Sequence, residues 1–362
     1  MEPLGGDDIR AWGPPFWGSA TTAFLSFNRN KRSVALDVKR AEGQEVLWEL
    51  ASQADVLVQN LRPGSLGRLG FDYESVRKRN PRIIYCSMTA YGSTGPMRDM
   101  PGYDPLLQAY SGLMSVTGES DGPRVRVGTS IVDMGTGMWA AIGILAALLR
   151  RRDTDVGQLL ETSLYETALN WIPYQIMGYL ATGDVPRRHG SGLPILAPYE
   201  AYPTRDGQLL VAVGNNGHWL ALCRAIDLSS LVTDARYVDN PSRVRNRGSL
   251  NEHLTQRLRT RTSAEWLGIL RDASVPCSPL HDIGEAVNDP QTEALGILRS
   301  TTHPDIPGYL DLGLPLRSGG DRPATRLPPP ALGQHTREVL RSLGRTDAEI
   351  DHLVRLRVVA EG

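Results

Sequence analysis

Between residues 33 and 102, short apolar runs rich in β-branched residues alternate with segments of helical spacing, a pattern that confines the chain to an α/β fold around a parallel sheet. Residues 33–37 read as a short strand, and 43–54 as a helix with Val46, Leu47, Leu50 and Ala51 on one face. Residues 55–60 return as a buried strand. Residues 73–79 then read as helix and 82–87 as strand, before a Gly/Pro-rich loop over 92–102. Loops at the carboxyl ends of parallel strands are where such folds bind ligands.

Further on, 103–116 has the spacing of an amphipathic helix, 124–128 is strand-like, and 135–152 predicts an almost wholly apolar, centrally buried helix. That helix ends in Arg150, Arg151 and Arg152, cations that complement its dipole. Another helix is expected over 163–182. From Tyr199 the character changes to a hairpin (199–202 and 208–213, turning at Arg205-Asp206-Gly207) and helices over 218–226, 250–259 and 263–273. A loop-rich stretch over 284–316 and an extended return over 317–330 lead to terminal helices over 336–343 and 347–355. The expected organisation is a large domain over 1–185, a linker over 186–198, a small α+β domain over 199–290, and a return over 291–362 that completes the large domain.

Charge and cysteine usage remove several classes of function. Forty acidic against 39 basic residues, net −1, provide no general field for nucleic acid or an anionic membrane. Cys86, Cys223 and Cys277 are odd in number and form no CxxC, as in a reduced chain without a disulfide framework. The seven histidines lie beyond residue 188 without an HxxxH, so no metal is expected. Neither residues 92–95 nor 190–192 supply a GxSxG nucleophile elbow. Residues 1–8 lack the basic start and apolar stretch of a signal peptide, and the uninterrupted apolar run over 138–149 is shorter than a bilayer span. A soluble, cytoplasmic chain with no membrane or nucleic-acid partner is the expectation.

Two features at one place bear on chemistry. Gly135-Thr-Gly137-Met-Trp-Ala140 matches the dinucleotide fingerprint GxGxxA, which alone would suggest a nicotinamide-dependent oxidoreductase. The acidic residue expected about 20 positions on is offered only by Asp153 or Glu161. Asp133, just before the glycines, reads either as a helix N-cap or as a carboxylate held at a strand-to-helix turn beside two residues without side chains.

Taken in order, a longer set of segments resembles one family. Asp7-Asp-Ile-Arg-Ala-Trp-Gly-Pro-Pro15, Asn28-Arg-Asn-Lys-Arg-Ser33 with Leu36-Asp37, Asp55-Val-Leu-Val-Gln-Asn60 with Arg62-Pro-Gly64, Leu69-Gly-Phe-Asp72, Gly92-Ser-Thr-Gly-Pro96, Gly102-Tyr-Asp104, Gly112 to Gly118, Asp133-Met-Gly-Thr-Gly137, Gly157-Gln158, Ala197-Pro-Tyr199, Asp206-Gly207 and Leu332-Gly-Gln-His-Thr336 follow one another as in the class III CoA-transferases, the CaiB/BaiF family. The resemblance implies a Rossmann-like large domain, an interlocked homodimer, and transfer of coenzyme A from an acyl-CoA donor to a small carboxylic acid acceptor. It places the nucleophile on Asp133, CoA contacts on Leu36, Asn60, Leu61 and Arg68, and the acyl pocket on Trp12 and Tyr103. Coenzyme A is then a substrate and no cofactor is implied. On this basis Gly135 and Gly137 give the thioester room and expose N–H groups to the developing oxyanion.

The resemblance also exposes departures. Relatives begin with a further strand and helix, about 30 residues, that carry part of the CoA site, so tighter CoA binding or higher stability is expected of a chain extended upstream. No lysine stands just before Tyr103, where some relatives place one. The 2-methylacyl-CoA racemases of the same family pair a histidine with the aspartate for two-base proton exchange. Tyr103 occupies that position here, and a phenol is a poor base near neutrality. The alternatives to a transferase are therefore a racemase-like isomerase or a noncatalytic subunit with a heteromeric partner.

Overall fold

The computed structural model describes residues 1–362. Strands Val56–Gln59 and Ile84–Thr89 pair in parallel, Val56 opposite Ile84 and Gln59 opposite Ser87, and Gln158–Ser163 completes a three-stranded sheet with Ile84–Thr89 at its centre. The fold is mixed α/β with a parallel pair, as the alternation implied.

Contacts divide the chain into two units. One comprises Met1–Met88, Ala140–Glu161 and Ile283–Gly362; the other comprises Thr89–Trp139 and Thr162–Asp282. Residues 89–139 and 162–185 therefore group with 199–282, not with the N-terminal half as the sequence suggested.

In the first unit, the helices Ala41–Gln53 and Tyr73–Arg79 bury Val46, Leu47, Ala51 and Val76 around Phe71, Ile83 and Tyr85. Asp72 starts the second of these by accepting from the Ser75 N–H (3.0 Å). The same core takes Leu340, Ile350, Leu353 and Val358 from the tail, and Val359–Ala360 runs antiparallel to Ala35–Leu36. The tail helices Thr336–Ser342 and Asp347–Arg355 match their sequence periods closely; a reciprocal capping box between Thr346 and Glu349 fixes the start of the second. Gly157 enters the Gln158–Ser163 strand so close to its neighbour that a Cβ would lie 1.9 Å from the Ile83 carbonyl oxygen, so only glycine fits.

The second unit carries the expected hairpin, Tyr199–Pro203 against Gln208–Ala212, extended by Cys277–Pro279. Helices Asn216–Ala225, Arg247–Leu258 and Ser263–Asp272 cover it, burying Trp219, Leu222, Leu254 and Trp266. Three local expectations fail for identifiable reasons. The helix over 163–182 is two helices, Leu164–Asn170 and Pro173–Thr182, because Pro173 offers no N–H to continue the first. The helix over 103–116 stops at Asp104–Tyr110, with Gly112 at φ +90°. Residues 124–128 are not a strand: the Val127 N–H is taken by the Gln108 side chain, 2.8 Å away.

The apolar helix spans Ile131–Thr154, beginning four residues before the expected 135. It is long and apolar enough to cross a membrane by length and composition, but both ends are tied into protein. At its end the buried Arg151 donates to the Asp55 carboxylate (2.6 Å) and to the Asp55 and Arg82 carbonyls (3.2 and 2.8 Å). Nor is it buried all round. Met134, Met138, Ile142, Leu145 and Leu149 are exposed at steps of four, four, three and four residues, a single apolar stripe, with Leu145 66 % exposed.

Candidate active site

An α-helix begins with N–H groups that its own turns cannot satisfy. In the Ile131–Thr154 helix the Ile131 N–H donates to the Thr129 carbonyl (2.9 Å) and the Met134 N–H to the Ser130 carbonyl (3.0 Å). The N–H groups of Val132 and Asp133 both donate to one oxygen of the Asp104 carboxylate, at 2.7 and 3.1 Å. Asp104 opens the helix Asp104–Tyr110, is 1 % exposed, and receives the Gln108 amide on its other oxygen. Around these contacts Leu107, Leu113, Val132, Ala168 and Ile172 form the apolar floor of the site.

Asp133 is thus the third residue of a helix and neither its N-cap nor part of a strand-to-helix turn, which corrects both sequence alternatives for its position. Capping is performed by Asp104, and no hydrogen bond inside the chain ends on the Asp133 carboxylate. The residue is open to solvent on one side, but neighbouring atoms strip part of the hydration from its carboxyl group. This desolvation, reinforced by the Asp104 charge, raises its pKa from the ordinary 3.8 to about 6.

The two glycines differ from each other and from expectation. A Cβ on Gly135 would lie 2.5 Å from the Trp171 ring and 2.9 Å from the Thr167 methyl group, so its missing side chain admits the indole and not a ligand. Trp171 is held there by donating to the Ile131 carbonyl (3.3 Å), and the Thr136 hydroxyl meets that of Thr167 at 2.9 Å. Gly137 has open space where a Cβ would point. Both sit inside the helix, where their N–H groups donate to carbonyls four residues back. The expectation that they offer N–H groups to an oxyanion is therefore wrong, and GxGxxA here is no strand-to-helix turn. Tyr103, exposed, precedes Asp104 on the same unit.

The remaining sequence candidates lie in the first unit. Asn60, Leu61 and Arg68 all follow the carboxyl end of strand Val56–Gln59 and are exposed. Arg68 makes one long contact, to the Ser65 hydroxyl at 3.3 Å, leaving most of its donors to solvent. Gln59 organises this loop by accepting from the Leu61 N–H (2.9 Å) and donating to the Ser87 hydroxyl (2.6 Å). Leu36, by contrast, is 2 % exposed and spends its side chain on the core. Trp12 ends the short 3-10 helix Asp8–Ala11 and is exposed. Sequence reasoning passed over Asp104 and Gln108 as site residues. Their signal was present as an Asp and a Gln four apart in a helix that opens Asp104-Pro105, a spacing that puts both on one face.

The family model for CoA-transferase family III matches residues 1–336. The chain is 36 % identical over 345 residues to succinyl-CoA:glutarate CoA-transferase of Mus musculus, covering 95 % of this chain and 79 % of that protein. It is 38 % identical over 337 residues to acetyl-CoA:oxalate CoA-transferase of Acetobacter aceti, covering 92 % and 85 %. The crystal structure of a CaiB/BaiF family protein from Brucella suis superposes with a TM-score of 0.82 at 33 % identity, over 94 % of this chain and 90 % of that one.

The charge arrangement gives a stability prediction. With its pKa near 6 folded and near 4 unfolded, Asp133 holds its proton more tightly in the native chain. The folded state consequently loses stability as pH rises from 4 to 6, and the whole penalty is present above that window. Asp133→Asn removes the charge and should raise Tm at pH 7.5 while leaving it close to wild type at pH 4.5. An equal gain at both pH values, or none at pH 7.5, contradicts the assignment.

Proposed function

The chain belongs to CoA-transferase family III, the acyl-CoA:carboxylate CoA-transferases, and on that premise we propose that Asp133 is the nucleophile that carries the exchange. The observation that supports this most directly is a carboxylate left without a partner because another carboxylate caps its helix. A pKa near 6 leaves it ionised at neutral pH but more basic than an ordinary carboxylate.

Its oxygen attacks the thioester carbonyl of the donor, the C–S bond breaks, and an acyl-aspartyl anhydride and CoA thiolate result. The thiolate attacks the aspartyl carbonyl, releases the donor acid, and leaves a CoA thioester on Asp133. The acceptor carboxylate attacks that thioester to give a second anhydride and free thiolate, which takes the new acyl group and restores the Asp133 carboxylate. Each step conserves an activated acyl bond, so water must be kept from the anhydrides. Relatives named for glutarate, oxalate and mesaconate transfer to dicarboxylic acids, and a short dicarboxylate is the acceptor proposed for this chain.

Asn60, Leu61 and Arg68 form the proposed contact with the CoA nucleotide, with Arg68 as a forked phosphate donor. The apolar stripe of the Ile131–Thr154 helix is proposed to be covered by a second copy of this chain, as homodimerisation by resemblance implies. Cytoplasmic residence is part of the same proposal.

Incubating the protein with succinyl-CoA, quenching with hydroxylamine and mapping the digest should show a hydroxamate on Asp133, absent from Asp133→Asn, together with loss of exchange activity. Exchange by Asp133→Asn at near the wild-type rate would sink the mechanism. Arg68→Ala should weaken CoA binding by about 1.5–3 kcal/mol, with Arg68→Lys recovering part of it; unchanged affinity in calorimetry removes Arg68 from the site. Leu145→Glu should convert a dimer to a monomer in light scattering coupled to gel filtration. A wild-type chain that is already monomeric, or a variant that stays dimeric, refutes the proposed covering of the stripe.

A further inference from the structure

We infer that Gln108 is a positioning residue for Asp133 that acts through Asp104, an inference resting on the reading of Asp133 as nucleophile. Gln108 is fully buried, and its carboxamide is bound at both ends. The Val127 N–H, which can only donate, lies 2.8 Å from Oε1 and so fixes the orientation of the amide. The Nε2 group is thereby turned to Oδ1 of Asp104, whose Oδ2 accepts the Val132 and Asp133 N–H groups. A continuous series of directed bonds therefore links the loop over 124–128, the face of helix Asp104–Tyr110 and the first turn of the Ile131–Thr154 helix.

Choice of an amide matters chemically. Arginine or lysine in place of Gln108 would hold the Asp104 carboxylate too, but would cancel its charge. Gln108 fixes the carboxylate and leaves its field acting on both the helix start and Asp133. No other side chain takes this role. On the elements packed around Asp104, the Tyr110 and Tyr165 rings meet edge to face with centroids 5.3 Å apart, Glu166 receives the Ser163 hydroxyl at 2.6 Å, and Arg126 donates to the Val127 carbonyl at 3.2 Å. Tyr103, on the residue before Asp104, Arg124, on the loop, and Tyr91, whose ring meets that of Tyr110 with centroids 5.2 Å apart, are the further titratable neighbours. Asp104 itself has no ion-pair partner.

Gln108→Leu and Gln108→Glu test the inference by site-resolved amide exchange and by the rate of hydroxamate formation on Asp133 from pH 5 to 9. Gln108→Leu frees Val127 directly whatever the role of the residue. The decisive amides are those of Val132 and Asp133, which Gln108 does not touch, and they should exchange about tenfold faster or more. Hydroxamate formation should fall about 10- to 100-fold with CoA affinity unchanged. Gln108→Glu can donate to Asp104 only while protonated, so it should recover the rate at acid pH and lose it as pH rises, a limb absent from the wild type. Unchanged exchange at Val132 and Asp133 in Gln108→Leu overturns the inference, as does a Gln108→Glu rate as low as that of Gln108→Leu at every pH. If Gln108→Leu does not fold, the pH course of Gln108→Glu decides. A wild-type protein that forms no hydroxamate refutes the nucleophile, while the exchange at Val132 and Asp133 still decides whether Gln108 governs the helix start.

Discussion

The Asp104 carboxylate, buried between two helices and bonded to the Val132 and Asp133 N–H groups, acts on its surroundings with two opposite signs. Toward the helix it is favourable, because a negative charge meets the positive end of the backbone dipoles and satisfies two orphan donors. Toward the Asp133 carboxyl group it is unfavourable, because like charges at this separation disfavour ionisation of the second. The helix gain holds in place a geometry that the repulsion alone would dissolve. A cap supplied from within the Ile131–Thr154 helix would have removed the conflict, and with it the reason for the Asp133 side chain to stand unbonded.

Much of the scaffold could be read from sequence because its elements are governed by local signals. The helices Tyr73–Arg79 and Asp347–Arg355 have the bounds that apolar spacing and capping residues imply, and the hairpin beginning at Tyr199 follows from alternation around Arg205-Asp206-Gly207. Failures occurred where a distant group replaced a local partner. The β-like composition of residues 124–128 lost to a single side-chain acceptor on Gln108. The start of the apolar helix moved back because Asp104, far away in sequence, supplied bonds to Val132 and Asp133, which precede the helix that spacing alone implies.

The same distinction runs through the site. Asp133 was legible, since its motif with the following glycines is local, but its structural position was not. Gly135 looked like space for a substrate because spacing cannot reveal that Trp171 fills it from the turn that ends another helix. Leu36 looked like a ligand contact by resemblance, whereas its side chain belongs to a core whose other half comes from the end of the chain. The position of Asn60, Leu61 and Arg68 was legible because a loop after a parallel strand is placed by the strand itself.

The pairing of Ala35–Leu36 with Val359–Ala360 has a consequence for biosynthesis. The Ser33 N–H donates to the His335 ring (3.2 Å), and the Ala35 N–H to the Thr336 hydroxyl (3.2 Å), across separations of 302 and 301 residues. At ordinary ribosomal speeds those partners emerge roughly 15–60 s after the residues that await them. Meanwhile Leu36, Val46 and Phe71 leave the exit tunnel with no wall of tail helices to pack against, although the segment over 89–282 already holds all of the second unit. A segment made early is thus the last to gain its core, and closing this long loop is entropically slow. A polypeptide halted before Thr336 would expose apolar surface around Leu36, Val46 and Phe71, far from the point of interruption, making that segment the natural target of chaperones and proteases.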